Sequence, residues 1–225
     1  MTTWEIFRKT CSKAHAFAMK DDYVAAVKVY ESLLPIVENL ESIASQKRGD
    51  AKSSKAELRF ERAMFYSDLG AAQCDAGMFA EARKSLEMAI AYKGRSHLPS
   101  TFFFMGSTFL FSQQYKEAVH WFDKAIRESQ RLQMFISKEE GSFHASKGEA
   151  LFFLGRTRAA EAEFRLAIKG KRDDFEPYVF LAKICEENGN ASEAKRYRAM
   201  GVVRMKRLTQ KALAQRIRFY EAPII

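Results

Sequence analysis

The chain has 225 residues, of which 47% are hydrophobic and 29% charged, and its formal net charge is +9. This composition is typical of a folded globular protein and excludes a largely disordered chain. The most apolar stretch, residues 102–111, is ten residues long, and a transmembrane helix needs roughly 20. The three cysteines lie far apart in the sequence and predict neither a disulfide framework nor a zinc site.

A pattern of four residues at fixed positions relative to one another recurs along the chain. A small residue is followed by Ala twelve positions later, by a bulky apolar residue four further on, and by Ala three after that. Close crossings of two helices require a small residue at the contact and a large one beside it, so the spacing predicts repeated helical hairpins. The clear copies are Gly70, Ala82, Leu86, Ala89; Gly106, Ala118, Phe122, Ala125; and Gly148, Ala160, Phe164, Ala167. Weaker copies are Ala14, Ala26, Tyr30, Leu33 and Ala182, Ala194, Arg198, Gly201.

The copies predict an all-α chain in which each unit is a pair of antiparallel helices. A polar insertion, whose segment QKRGDAKSS favours an exposed loop, separates the first two units. The repeat domain is predicted over residues 1–208, and a basic capping helix and tail follow at 209–225. The predicted units are about 7–40, 63–96, 99–132, 141–174 and 175–208, with the insertion at 41–62.

The pattern resembles the tetratricopeptide repeat (TPR) superfamily over about residues 7–208. The second unit carries the resemblance most clearly, with Tyr66, Leu69, Gly70, Gly77, Phe79, Ala82, Leu86 and Ala89 at hallmark positions. The resemblance implies a superhelical array of about five antiparallel helix pairs with a C-terminal capping helix. It also implies a non-enzymatic adaptor or scaffold that binds another protein in a concave groove.

In that family the first helix of each unit lines the concave face. The middle of the predicted groove is aromatic, which suits the apolar face of a partner helix or an extended peptide. The alternative is that these rings are covered by neighbouring units or by the chain's own C-terminal tail. The resemblance implies a peptide-binding set of Arg8, His15, Ser67, Asp75, Phe103, Ser107, Phe111, Glu149, Phe152 and Lys183.

Some family members hold the C-terminal carboxylate of heat-shock chaperones with Lys, Asn and Arg side chains. At the corresponding positions this chain has Cys11, His15 and Phe104. The resemblance therefore argues against a chaperone tail as the partner and favours a ligand recognised through apolar contacts.

Catalytic signatures are missing from the sequence. It contains no Walker, Rossmann, nucleophile-elbow or H-E-x-x-H spacing, and its four histidines are scattered. Cys11 and His15 lie one helical turn apart, but two ligands without a third are a weak metal signal. We therefore predict that the chain is not an enzyme and has no cofactor and no metal site.

The end of the chain is basic, since residues 201–225 contain six Lys or Arg and one Glu and so hold +5 of the net charge. Arg204, Lys206, Arg207 and Lys211 form a second candidate site, for anions. The alternative function is therefore a basic peripheral module whose C-terminal helix docks to an anionic membrane or to nucleic acid.

Cysteine usage fits a reducing compartment, and residues 1–20 lack the apolar core of a secretory signal. The predicted location is the cytoplasm. The alternative is an organelle, because residues 1–20 carry four Lys or Arg against one Glu, as organellar transit peptides do.

Overall fold

A computed structural model describes residues 3–40, 55–92, 99–132, 138–170 and 174–206. The chain divides into an N-terminal unit, Met1–Thr108, and a C-terminal unit, Phe109–Ile225. All regular structure in the described residues is helical. The helices are α1 Thr3–Ala18, α2 Tyr23–Glu31, α3 Leu34–Glu38, α4 Lys55–Asp75, α5 Phe79–Tyr92, α6 Pro99–Phe111, α7 Tyr115–Arg131, α8 Lys138–Phe153, α9 Thr157–Lys169, α10 Glu176–Glu187 and α11 Ala191–Met205.

Helices that follow one another pack as hairpins. In the N-terminal unit α1 packs on α2 and α4 on α5, while α2 also contacts α4. In the C-terminal unit α8 packs on α9 and α10 on α11, and contacts of α7 with α8 and of α9 with α10 join successive hairpins. The predicted all-α fold of paired helices is thereby confirmed. Helix α6 spans the boundary between the two units.

Close crossings occur where the sequence predicts them. A Cβ atom added to Gly70 of α4 would lie 2.6 Å from Cγ of Leu86 in α5. A Cβ atom added to Gly148 of α8 would lie 2.7 Å from Cε1 of Phe164 in α9. These separations are far below carbon–carbon contact distances, so a larger residue at either crossing would force the facing side chain or the helices to shift.

The first helix of each predicted hairpin ends in the same turn. After α8, the Gly155 amide donates to the Phe152 carbonyl and the Arg156 amide donates to the Leu151 carbonyl, both at 2.9 Å. This is a Schellman ending, and it requires a left-handed residue at Gly155, where φ is +72°. The other left-handed residues at these endings are Asp21, Gly77, Gln113 and Gly189.

Each unit has its own apolar cluster. In the N-terminal unit the ring of Phe65 lies 6.0 Å from that of Phe7 and 5.8 Å from that of Tyr30, between centroids. In the C-terminal unit the buried rings of Phe164 and Phe180 stack with centroids 5.0 Å apart. The clusters fix the first and second helices of each hairpin against their neighbours.

The short helix α3 is tied to α4 by a buried arginine. The Arg62 guanidinium donates hydrogen bonds to the carbonyl of Val37 at 3.1 Å and to that of Glu38 at 3.0 Å. These carbonyls are at the C-terminal end of α3, where helical carbonyls lack partners within the helix. Arg62 therefore caps α3. The predicted loop of residues 46–54 lies outside the described residues.

Candidate functional site

Aromatic residues of α8 and α10 meet in the C-terminal unit. The Phe180 ring of α10 lies 5.1 Å from that of Phe152 and 6.0 Å from that of Phe153, between centroids. Because the Schellman ending stops α8 at Phe153, these two rings lie at the end of the helix, where Phe153 keeps 42% of its surface exposed. The buried Phe180 ring thus supports two rings that solvent reaches.

Two further side chains complete this surface. The Tyr115 ring, at the start of α7, stacks on Phe153 with centroids 5.1 Å apart and 20° between the ring planes. The exposed Lys183 places its Nζ 5.2 Å from the centroid of the Phe152 ring, as a cation–π contact. We call Tyr115, Phe152, Phe153 and Lys183 the aromatic shelf. It presents aromatic area beside one positive charge.

An ion-pair network holds α8 between its neighbours. Lys147 Nζ lies 2.8 Å from Asp123 Oδ1 of α7 and 2.6 Å from Glu163 Oε1 of α9. His144 Nδ1 hydrogen-bonds the other Glu163 oxygen, at 2.6 Å. The network therefore connects three successive helices and fixes the rotation of α8, whose last turn carries Phe152 and Phe153.

The network also shifts the ionisation of its members. Burial alone would raise the pKa of Glu163, but the hydrogen bonds and charges of His144 and Lys147 outweigh burial, and the pKa lies below its ordinary value. Burial likewise lowers the pKa of Lys147, yet its bonds to Asp123 and Glu163 leave that pKa raised. Both groups are therefore charged at neutral pH.

Four of the predicted peptide-binding residues belong to the N-terminal unit's helices α1 and α4. Arg8 is exposed and pairs with Glu61 at 3.0 Å, and His15 is exposed. Ser67 is buried, and its hydroxyl lies 2.7 Å from that of Thr101 in α6. The fourth residue, Asp75, is half-buried at the end of α4.

The remaining six differ sharply in exposure. On α6, Phe103 and Phe111 are half-buried, whereas Ser107 is buried and donates to the Phe103 carbonyl at 3.1 Å. On α8, Glu149 is buried at 6% exposure. Of the ten predicted residues, the structure brings Phe152 and Lys183 together in the aromatic shelf.

Sequence reasoning missed Tyr115 as a site residue. The predicted set was drawn from first helices, and Tyr115 begins a second helix, α7. Phe153 is not in the predicted set of ten, although the register of the resemblance places it on the same face as Phe152. The usable signal was the position of Phe153 two residues before Gly155, a helix-ending glycine.

The predicted anion site is described only in part. Arg204 is half-buried, with its guanidinium carbon 4.0 Å from the Tyr178 ring centroid and a hydrogen bond of 3.1 Å from Nη1 to the Met200 carbonyl. Lys206 is exposed. Arg207 and Lys211 lie outside the described residues. The site therefore remains a prediction.

The described residues contain no cluster of three or more His, Cys, Asp or Glu side chains arranged to hold a metal ion. Burial, followed by the charges of Asp68 and Glu61, raises the pKa of the Cys11 thiol to about 12. A thiol of that pKa is not an activated nucleophile at neutral pH. Among the described helices, none has the length and apolar character needed to cross a membrane.

Comparison with known proteins supports a TPR-like helical fold. No protein-family model matches the sequence, and no curated protein matches it. A crystal structure of MamA is similar to 88% of this chain and 96% of its own, with a TM-score of 0.57 and 16% identity. A second MamA crystal structure covers 99% of this chain and 100% of its own, with a TM-score of 0.57 and 15% identity.

A third similar structure is residue 41 to the end of MamA from Desulfovibrio magneticus RS-1. It covers 90% of this chain and 94% of its own, with a TM-score of 0.58 and 9% identity. At such identities the likeness concerns the fold alone.

Proposed function

We propose that this chain is a non-enzymatic protein-interaction scaffold, and that its aromatic shelf binds an apolar segment of a partner protein. The observation that carries the proposal is the exposure of Phe153 above a rigid base: the ring stacks on Tyr115 and contacts the buried Phe180. Large aromatic side chains in fixed positions are typical anchors of protein interfaces. The TPR-like fold is in keeping with this role.

The chemistry of the shelf defines the segment that fits it. Phe152 and Phe153 offer aromatic faces, and the exposed Lys183 provides a cation beside them. A segment with an aliphatic or aromatic side chain next to an acidic residue satisfies both features. We propose that the ligand is a peptide or helix with that pair of side chains. We also propose that this chain is located in the cytoplasm, in keeping with its three free cysteines.

The affinity that Phe153 contributes follows from its exposed area. A phenylalanine side chain of about 200 Å² that is 42% exposed has roughly 80 Å² left to bury. At about 25 cal/mol per Å², covering that area contributes about 2 kcal/mol. Removing the ring therefore weakens binding by about 10- to 30-fold.

The test is selection of peptides from a random library on the immobilised chain, followed by titration calorimetry. Phe153→Ala should weaken the selected peptides by that factor, and Lys183→Gln should reduce the preference for acidic peptides. Phe60→Ala is the matched control, because Phe60 of α4 is also 42% exposed but lies in the N-terminal unit. Equal affinities for wild type and Phe153→Ala would refute the proposal.

A further inference from the structure

The second helices of the C-terminal unit repeat one pattern of exposed cations. Each carries two Lys or Arg residues eleven positions apart, which is about three helical turns, so both lie on one face about 16 Å apart. All six are exposed, and none forms an ion pair with another described residue. They are Lys116 and Arg127 of α7, Arg158 and Lys169 of α9, and Lys195 of α11 with Lys206, the residue that follows α11.

Side-chain ion pairs connect these three helices. Lys147 joins α7 to α9 through Asp123 and Glu163, and Arg165 Nη2 of α9 lies 3.8 Å from Glu193 Oε1 of α11. Asp123, Glu163 and Glu193 are thus paired with cations of neighbouring helices, while Glu128 and Glu161 pair with Arg131 and Arg165 of their own helices. Among their described residues, Glu117 is the one exposed acid. The six cations therefore form one positively charged surface, which we call the outer cationic face.

The N-terminal unit shows that this charge is not a requirement of the fold. Its second helices, α2 and α5, expose two lysines, Lys28 and Lys84. They also expose three glutamates, Glu31, Glu81 and Glu87. The exposed charges of the second helices are therefore nearly balanced in the N-terminal unit and strongly positive in the C-terminal unit.

Aliphatic side chains stand within the outer cationic face. Leu166 is 45% exposed and lies three residues before Lys169, while Val203 is 53% exposed and lies three residues before Lys206. In both helices the aliphatic residue follows the first cation of the pair by eight positions, so the three side chains share one side. Val202, at 47% exposure, widens the apolar part.

The mixture of cations and aliphatics distinguishes between polyanionic partners. A nucleic acid backbone presents phosphates and sugars, and proteins that bind its bases without sequence preference use exposed aromatic rings. An anionic bilayer attracts Lys and Arg to its headgroups and takes aliphatic side chains into the interface. Leu166, Val202 and Val203 match the second arrangement.

We propose that the outer cationic face binds the surface of an anionic lipid bilayer. The six cations belong to the second helices and none of them is part of the aromatic shelf, three of whose four residues lie on the first helices α8 and α10. The proposal is therefore independent of the partner-binding role above. Each cation near such a surface strengthens binding by about fivefold.

Vesicle flotation of the full chain tests the proposal. Vesicles of phosphatidylcholine with 30% phosphatidylserine should carry the protein at low salt, and vesicles of phosphatidylcholine alone should not. The variant R158Q/K169Q/K195Q/K206Q should bind about 600-fold more weakly, because four factors of about five multiply. The variant L166Q/V203Q should bind vesicles several-fold more weakly than wild type and should bind duplex DNA as tightly as wild type. Both variants should melt within a few degrees of wild type, because the replaced side chains are exposed.

The matched control removes four exposed lysines of the N-terminal unit, as K9Q/K13Q/K28Q/K84Q. It changes the net charge equally and should alter vesicle binding less than threefold. An equal loss in both quadruple variants would show that net charge alone acts, and would overturn the proposal. Tighter binding to duplex DNA than to vesicles at matched phosphate concentration would assign the outer cationic face to nucleic acid instead. Absence of flotation at low salt would also refute the proposal.

Discussion

The substitution Gly148→Ala tests the helix crossing at the centre of the fourth hairpin. The added Cβ atom would lie 2.7 Å from Cε1 and 2.8 Å from Cδ1 of Phe164. That ring is fully buried and stacked on Phe180 at 5.0 Å, so it has no open space to move into. Either the two helices must separate or the stacked pair must break.

The change in the free energy of unfolding caused by Gly148→Ala is the sum of two costs and one gain. Overpacking a buried contact costs about 1–3 kcal/mol, and disturbing the ring pair costs about 1 kcal/mol more. Replacing glycine by alanine within a helix returns about 1 kcal/mol. The free energy of unfolding should therefore fall by about 2 kcal/mol, and the melting temperature by about 4–8 °C for a chain of this size.

Urea denaturation followed by far-ultraviolet circular dichroism measures this change. Gly201→Ala is the matched control, since Gly201 is also buried within a helix, but a Cβ atom there would meet its nearest neighbour, Cβ of Tyr178, at 3.4 Å. The control should be as stable as wild type or up to about 1 kcal/mol more stable. A Gly148→Ala chain that unfolds at the same urea concentration as Gly201→Ala would refute the reasoning.

Glu163→Gln should lower the free energy of unfolding by about 1–3 kcal/mol at pH 7, because it leaves the half-buried Lys147 with one carboxylate. The pKa of Glu163 is lowered in the folded chain from an ordinary 4.5, so the stability that its carboxylate contributes is present above pH 4.5 and is lost as the pH falls through the folded pKa. The difference in free energy of unfolding between wild type and Glu163→Gln, measured by urea denaturation, should therefore shrink below about pH 4.5. A difference that does not change with pH would contradict this. Ser67→Ala should cost about 1 kcal/mol by leaving the buried Thr101 hydroxyl unpaired, and adding Thr101→Val should recover part of the loss, whereas strictly additive effects would contradict the hydrogen bond. Gln113→Gly should raise the melting temperature by a few degrees because residue 113 has φ +59°, and a lower melting temperature would show that its side chain matters more than its backbone.

The helix pairs could be predicted from the sequence because each close crossing restricts the residue types at two positions that are a fixed number of residues apart. Gly148 and Phe164, sixteen positions apart, are such a pair, and the structure places them in contact. Steric exclusion allows few residue types at a close crossing, so the signal survives in a single sequence.

The candidate site was predictable only in part, because the same register position can be exposed or buried. Phe152 and Lys183 were both predicted, but their contact depends on how α8 packs against α10, which spacing alone does not specify. Ser107 and Glu149 were predicted as ligand contacts because the register of the resemblance places them on the concave face of the first helices. Both are buried, and the Ser107 hydroxyl bonds to its own helix, a partner that the register does not reveal.

Site-specific photocrosslinking tests the central claim, that the aromatic shelf holds the partner segment, most directly. The photoreactive analogue p-benzoylphenylalanine would replace Phe153 in one variant and Phe60 in another, since both positions are 42% exposed. We expect a peptide selected on the wild-type chain to crosslink at position 153 and not at position 60. Crosslinking at position 60 alone, or equal yields at the two positions, would contradict the claim.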